Sequence, residues 1–348
     1  MPGVGTAGDS AAEQGDTAGN SDTAVGGIPK AARALRAVSG CVASRPFRWG
    51  FLAVAVAFAG YAVVAQWSQV SRSIDRIGPS MVVLALGSVL LGLLAMMLGW
   101  RVLLSGLGSR LPVPAAARVL FLGQLGKYLP GSVWSVLTQM ELAKRYQVPR
   151  HRSASAAVLS MLVVLLAGLL TALVLLPFTG ASSYLWAFAV MPVLLATLHP
   201  RVLNQLINRL LRLVRQPPLE HPLSARTIAL ALGWTFVGWL FNGVQLWFLM
   251  IHLGAPLGTG LLLAIGGYAF ACSVGFIVVF LPVGAGLRDV LLVTMLGPVL
   301  GLGGATAVAL MSRVLTTAGD LLTAAASGAW RRNVRPGAMA SADATGMN

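Results

Sequence analysis

Charge is scarce in this chain. Only 10% of its 348 residues are Asp, Glu, Lys or Arg, while 57% are hydrophobic, and the mean hydropathy is +0.80. A soluble domain carries about 25% charged residues, so a water-soluble protein is excluded. Cysteine is almost missing, and Cys41 and Cys272 can build neither a disulfide framework nor a metal cluster. The four histidines, His151, His199, His221 and His252, sit in or beside loops without metal-ligand spacing. No phosphate-binding Gly-rich Lys-Ser/Thr loop occurs, so this chain alone is not expected to run on ATP. No acid, base, nucleophile or metal constellation marks an enzyme, and no cofactor is implied. The formal net charge of +15 does not signal nucleic acid, because the bases fall in short clusters between apolar runs and do not line one face.

What fills the chain is apolar sequence. Residues 1–28 are Gly, Ala, Ser, Thr and Asp without an apolar run, which predicts a disordered tail with no signal-peptide core. Eight apolar runs follow, at 50–66, 81–99, 154–178, 184–198, 227–251, 261–281, 290–302 and 305–326. Most have the length that crosses a hydrocarbon core of about 30 Å. Trp49 and Trp67 bracket the first run, and Lys30, Arg33, Arg36, Arg45 and Arg48 precede it, the signature of an uncleaved anchor with its N-terminus inside. Arg101, Arg110 and Arg118, then Lys144, Arg145, Arg150 and Arg152, then Arg201, Arg209, Arg212, Arg215 and Arg226, and finally Arg331, Arg332 and Arg335 all fall on the same side. The basic-residue rule makes that side the cytoplasm. The expectation is an all-α polytopic membrane helix bundle of about eight spans, occupying 29–335, with short cytoplasmic tails at 1–28 and 336–348. Arginine outnumbers lysine 22 to 3 and Ala, Gly, Val and Leu dominate, the bias of a GC-rich bacterial genome. That places the chain in a bacterial cytoplasmic membrane.

Two places break the pattern. Residues 114–146 begin and end on the cytoplasmic side yet are apolar, with Leu129-Pro130-Gly131 at their centre. Pro130 lacks a backbone donor and Gly131 accepts unusual dihedrals, so one helix should end near Tyr128 and another begin near Ser132. The arrangement is a re-entrant helical hairpin, with a surface amphipathic helix as the alternative. The second break, 281–286, carries Pro282, Gly284 and Gly286 before a short helix at Leu287. Broken segments in corresponding halves point to an inverted repeat with a transport site at its interface.

Each break places a base beside a helix N-terminus, Lys127 before Ser132 and Arg288 after Gly286, where the dipole and free N–H groups favour an anion. A base inside the membrane is costly and calls for a partner. For Lys127 the competing reading is a side chain reaching the interface; for Arg288 it is an ion pair with Asp289 or Asp320. Arg313 and Asp320 share a face of the last run and are read first as structural ion-pair members. Asn242 and Gln245 are expected to hydrogen-bond between helices.

The segments 123–134, Gly-Gln-Leu-Gly-Lys-Tyr-Leu-Pro-Gly-Ser-Val-Trp, and 281–289, Leu-Pro-Val-Gly-Ala-Gly-Leu-Arg-Asp, resemble the lysylphosphatidylglycerol synthase transmembrane-region family of flippase-like proteins. The resemblance runs from about Arg45 to Arg335. It implies a membrane domain with two re-entrant segments that moves or holds a lipid with a polar, often phosphate-bearing headgroup. Lys127, Pro130, Gly131, Pro282, Gly284, Gly286, Arg288 and Asp289 match its motifs; Tyr128, Ser132, Trp134 and Arg313 complete the candidate substrate-binding set. Only thirteen residues follow Arg335, so the family's soluble aminoacyl-transferase domain, and synthase activity, are not expected. The leading functional expectation is binding and translocation of an anionic or lipid-linked lipid. The alternative is a non-transporting partner that presents lipid to a glycosyltransferase or other envelope-synthesis enzyme. Lys127→Met is expected to stop lipid movement at near-normal abundance. Substrate, driving force and oligomeric state are not legible.

Overall fold

The computed structural model describes residues 78–128, 133–179, 200–213, 223–279 and 286–329, with positions 192 and 196 standing alone. The expected first span at 50–66, most of the run at 184–198 and both tails lie outside these residues. All regular structure among them is helical: α1 Pro79–Gly106, α2 Val113–Gln124 extended by a 3-10 turn Leu125–Tyr128, α3 Val133–Lys144, α4 Arg150–Leu175, α5 Pro200–Leu213, α6 Ala225–Ile251, α7 Leu257–Val279 and α8 Leu287–Ala329. Five of them, α1, α4 with its terminal 3-10 turn, α6, α7 and α8, are long and apolar enough to cross a membrane. Twenty-eight residues of α1 make about 42 Å of helix, more than the hydrocarbon thickness of about 30 Å. The chain is an all-α integral membrane protein. Its outward apolar side chains, such as Val83, Leu91 and Leu240, are exposed because lipid replaces water around them.

Small residues set the packing, as hydrocarbon offers no hydrophobic drive between helices. Gly92, Gly99 and Gly106 recur every seventh residue along α1 and face α6 running the other way. A Cβ at Gly92 would lie 2.6 Å from Asn242 Nδ2, at Gly99 3.1 Å from Thr235 Oγ1, and at Gly106 2.6 Å from Thr227 Cγ2. Ser88 Oγ donates to the Phe241 carbonyl at 2.6 Å across the same seam. Trp239 Nε1 then ties α6 to α4 by donating to the Val164 carbonyl at 3.1 Å.

Two helical hairpins are built into this frame. Helices α2 and α3 fold against each other around 129–132: a Cβ at Gly123 would strike Gln139 Cγ at 2.3 Å, and one at Gly126 the Ser135 backbone at 2.6 Å. Neither 12-residue helix, about 18 Å long, crosses alone. The helix boundaries at Tyr128 and Val133 match those expected from the Pro130-Gly131 pair.

The second hairpin is hidden inside α8. Arg288 hydrogen-bonds Ser312 at 3.1 Å and Asp289 pairs with Arg313 at 2.7 Å, yet a straight helix would hold such residues about 36 Å apart. The chain reverses at Gly301, whose φ of 69° and ψ of 165° lie in a region essentially reserved for glycine. Residues 287–300 form a short leg of about 21 Å and 302–329 a full-length leg of about 42 Å. The apolar runs at 290–302 and 305–326 are these two legs.

Helix α5 belongs to neither hairpin. It is strongly amphipathic, with Arg201, Arg209 and Arg212 exposed, and Asn204 fastens it by exchanging two hydrogen bonds with the Leu223 backbone, 3.2 and 3.0 Å. These arginines, which fall between two apolar runs of the sequence, lie on an amphipathic helix, the kind that rests at a membrane interface.

Candidate functional site

The two hairpins bring charge into the bundle. The 3-10 turn that ends the first leg of α2–α3 delivers Lys127 and Tyr128 to Asp320 on the long leg of α8. Lys127 Nζ stands 2.5 Å from Asp320 Oδ2, and Tyr128 Oη donates to the same oxygen at 2.6 Å. Asp320 is 4% exposed and Lys127 48%. Asp320 precedes Ala329 by about 13 Å of helix, so the hairpin tip reaches well into the bundle and does not lie flat on its surface.

Arg288 opens the short leg of α8. Gly286, at φ 116°, ends the preceding break and its carbonyl accepts the first helical bond, from Val290 N–H at 3.0 Å. Gly275 on α7 makes room for the leg, since a Cβ there would lie 3.2 Å from Arg288 Cβ. The guanidinium sits 4.9 Å from the centroid of the Tyr268 ring. Its Nη2 donates to Ser312 Oγ at 3.1 Å and to Tyr268 Oη at 3.4 Å. Ser312 in turn donates to Gln245 Oε1 at 3.4 Å, which carries the chain of contacts to α6. Tyr268, Ser312 and Gln245 are all buried. Arg288 Nε is buried and has no hydrogen-bond partner among the described residues.

Each of the three described carboxylates is ion-paired with another base, although Asp289 Oδ1 is buried without a hydrogen-bond partner among the described residues. Asp320 holds Lys127, Asp289 holds Arg313 and Glu141 holds Arg150 at 2.9 Å. Arg288 therefore meets only neutral hydroxyls and a ring face, with no carboxylate at ion-pair distance among the described residues. An anion entering beside Arg288 would find a guanidinium with an unused donor and a tyrosine and serine hydroxyl.

Of the residues singled out in the sequence, Lys127 and Tyr128 fall in one cluster, and Arg288 stands in the other with Asp289 and Arg313 next to it. Gly286 supports the second, and Trp134 lies partly buried in the first turn of α3. Pro130, Gly131, Ser132, Pro282 and Gly284 lie outside the described residues. Arg313 is an ion-pair member, and its partner is Asp289. Arg288 pairs with neither Asp289 nor Asp320, and Asp320 takes Lys127 instead. Gln245 does reach another helix, whereas Asn242 bonds its own helix, donating to the Gly238 carbonyl at 2.8 Å. Tyr268 and Ser312 went unread. Tyr268 was visible as a lone aromatic hydroxyl after Gly266-Gly267 in an aliphatic span.

An all-helical membrane bundle carrying two hairpins, one with a base beside its tip and the other with a base at the open end of its short leg, is the class these features define. The sequence pattern of the lysylphosphatidylglycerol synthase transmembrane region matches residues 50–324, most of the chain. The protein belongs to that family, which ties it to the handling of membrane lipids. No curated protein matches the chain, so the family relationship carries the comparison.

Proposed function

We propose that this protein binds a lipid with an anionic, phosphate-bearing headgroup at Arg288 and moves it between leaflets without altering it covalently. The observation that carries this reading is a guanidinium drawn into the bundle whose hydrogen bonds go to neutral hydroxyls and which has no ion pair among the described residues. An unpaired charge in a low-dielectric site is costly, and a bound phosphate removes that cost by supplying the missing countercharge. The first turn of the short α8 leg adds its positive dipole end. Tyr268 and Ser312 offer further hydroxyl donors once they turn from Arg288 to the ligand.

The Lys127–Asp320 contact supplies the moving part. It joins the tip of the α2–α3 hairpin to the long α8 leg. A phosphate beside Arg288 offers Lys127 a second anionic partner, so ligand binding weakens the hold of Asp320 on the tip. The tip and the α8 legs then have two arrangements that the ligand biases by its differential contacts. The bases at the ends of α1, α3 and α6 and on α5 gather at one end of the bundle, which supports a cytoplasmic assignment for that end and for both termini in a bacterial cytoplasmic membrane.

Reconstitution into vesicles doped with fluorescent lipids tests this reading. Anionic phospholipid should exchange between leaflets in the presence of protein, and a zwitterionic analogue should exchange more slowly. Equal exchange of both refutes the role of Arg288 in selection. Tight binding without exchange, together with copurification of an envelope-synthesis enzyme, supports the lipid-presenting reading instead.

A further inference from the structure

A second basic site lies apart from the Arg288 cluster and shares no residue with it. Arg101 at the end of α1, Arg110 in the following loop and Arg226 in the first turn of α6 line one cavity of about 340 Å³. Three guanidiniums from three segments repel one another, and no carboxylate lines this cavity. The fold holds them there regardless. Arg101 is fixed by its Nε–H, which donates to the Leu111 carbonyl at 2.6 Å, leaving its two terminal nitrogens for a ligand. Gly106 closes the floor: with any side chain there, α1 could not approach Thr227.

The rest of the lining tells what kind of anion fits. Ser105 and Thr227 add hydroxyls beside the arginines, and the start of α6 adds its positive dipole end. Val102 and Leu230 form an apolar wall, and Leu230 is 48% exposed on a membrane-spanning helix, so the cavity opens sideways toward hydrocarbon. A charged floor with a greasy side exit matches an amphiphile, and basic pockets between helices at the membrane surface take phosphate headgroups. We infer that this cavity binds the phosphate group of a net-anionic phospholipid, whose acyl chain lies along Val102 and Leu230, as a site separate from the transport path.

The test is lipid binding to the full chain purified in uncharged detergent, followed by native mass spectrometry. Phosphatidylglycerol, phosphatidylcholine and inorganic phosphate are the probes. Wild type should retain phosphatidylglycerol in preference to phosphatidylcholine. Arg110→Gln/Arg226→Gln should bind phosphatidylglycerol about tenfold more weakly or worse, and Arg110→Lys/Arg226→Lys should recover part of that loss, which rules out misfolding as its cause. Both double variants are compared in an Arg288→Gln background, which removes the headgroup site of the transport reading, so that the phosphatidylglycerol retained is the lipid of this cavity. If millimolar inorganic phosphate binds alone and displaces the lipid, the anion site stands and the acyl chain is not part of it. Equal retention of both lipids, or unchanged binding in the Gln variant, overturns the proposal.

Discussion

Lys127 and Asp320 are unequal partners, and the inequality predicts how their substitutions differ. Lys127→Met strands a carboxylate that is 4% exposed, leaving Tyr128 Oη at 2.6 Å as its remaining donor. Removing one member of a buried pair costs about 3–5 kcal/mol. Half of the Lys127 side chain is exposed, which screens the pair, so the expected loss is about 2–3 kcal/mol. Asp320→Asn costs less, about 1 kcal/mol, because the amide oxygen still accepts from Tyr128 and the freed ammonium can reach the interface. In the double variant no charge is stranded, so it should be more stable than Lys127→Met alone by about 1 kcal/mol. Unfolding of purified protein in mixed micelles, followed by circular dichroism or tryptophan fluorescence, measures all three. Strict additivity, or a Lys127→Met protein as stable as wild type, refutes the pairing. The expectation of near-normal abundance for Lys127→Met is revised accordingly, and the double variant becomes the cleaner probe of lipid movement.

Gly301→Ala should lower stability by about 1–3 kcal/mol, seen as a reduced Tm, because a Cβ is strained at φ 69° although nothing crowds it. Gly92→Val should cost about 1–3 kcal/mol by overpacking against Asn242, while Gly87→Val on the same helix, where a Cβ meets nothing within 4 Å, should be nearly neutral in the same melt. Ser312→Ala removes a neutral partner of Arg288 worth about 1 kcal/mol, so anionic-lipid exchange should slow roughly fivefold with the fold intact.

The membrane class was legible because long apolar runs have one physical explanation, and the α2–α3 break was legible because Pro and Gly act locally. Long-range pairing was not. Lys127 and Asp320 are brought together by a hairpin tip meeting a distant helix, and nothing in either neighbourhood announces the other. The reversal at Gly301 was also hidden, since one glycine among several in 297–304 carries the turn and its identity depends on φ. The seven-residue glycine spacing on α1 was present to be read, yet spacing alone does not name the helix it faces. Asn242 was misjudged for the same reason: Gly92 packs directly on its amide, and the side chain is satisfied within its own helix.

The central claim is that Arg288 holds the headgroup that moves. The direct measurement is the rate of anionic-lipid exchange in vesicles carrying wild type, Arg288→Lys or Arg288→Gln at equal protein density. A lost charge-assisted contact of about 1.5–3 kcal/mol corresponds to a fall of roughly 10- to 150-fold for Arg288→Gln, with Arg288→Lys between the two because it keeps the charge and loses the two-pronged donor. An Arg288→Gln protein that is folded, inserted and exchanges anionic lipid at the wild-type rate would contradict the account.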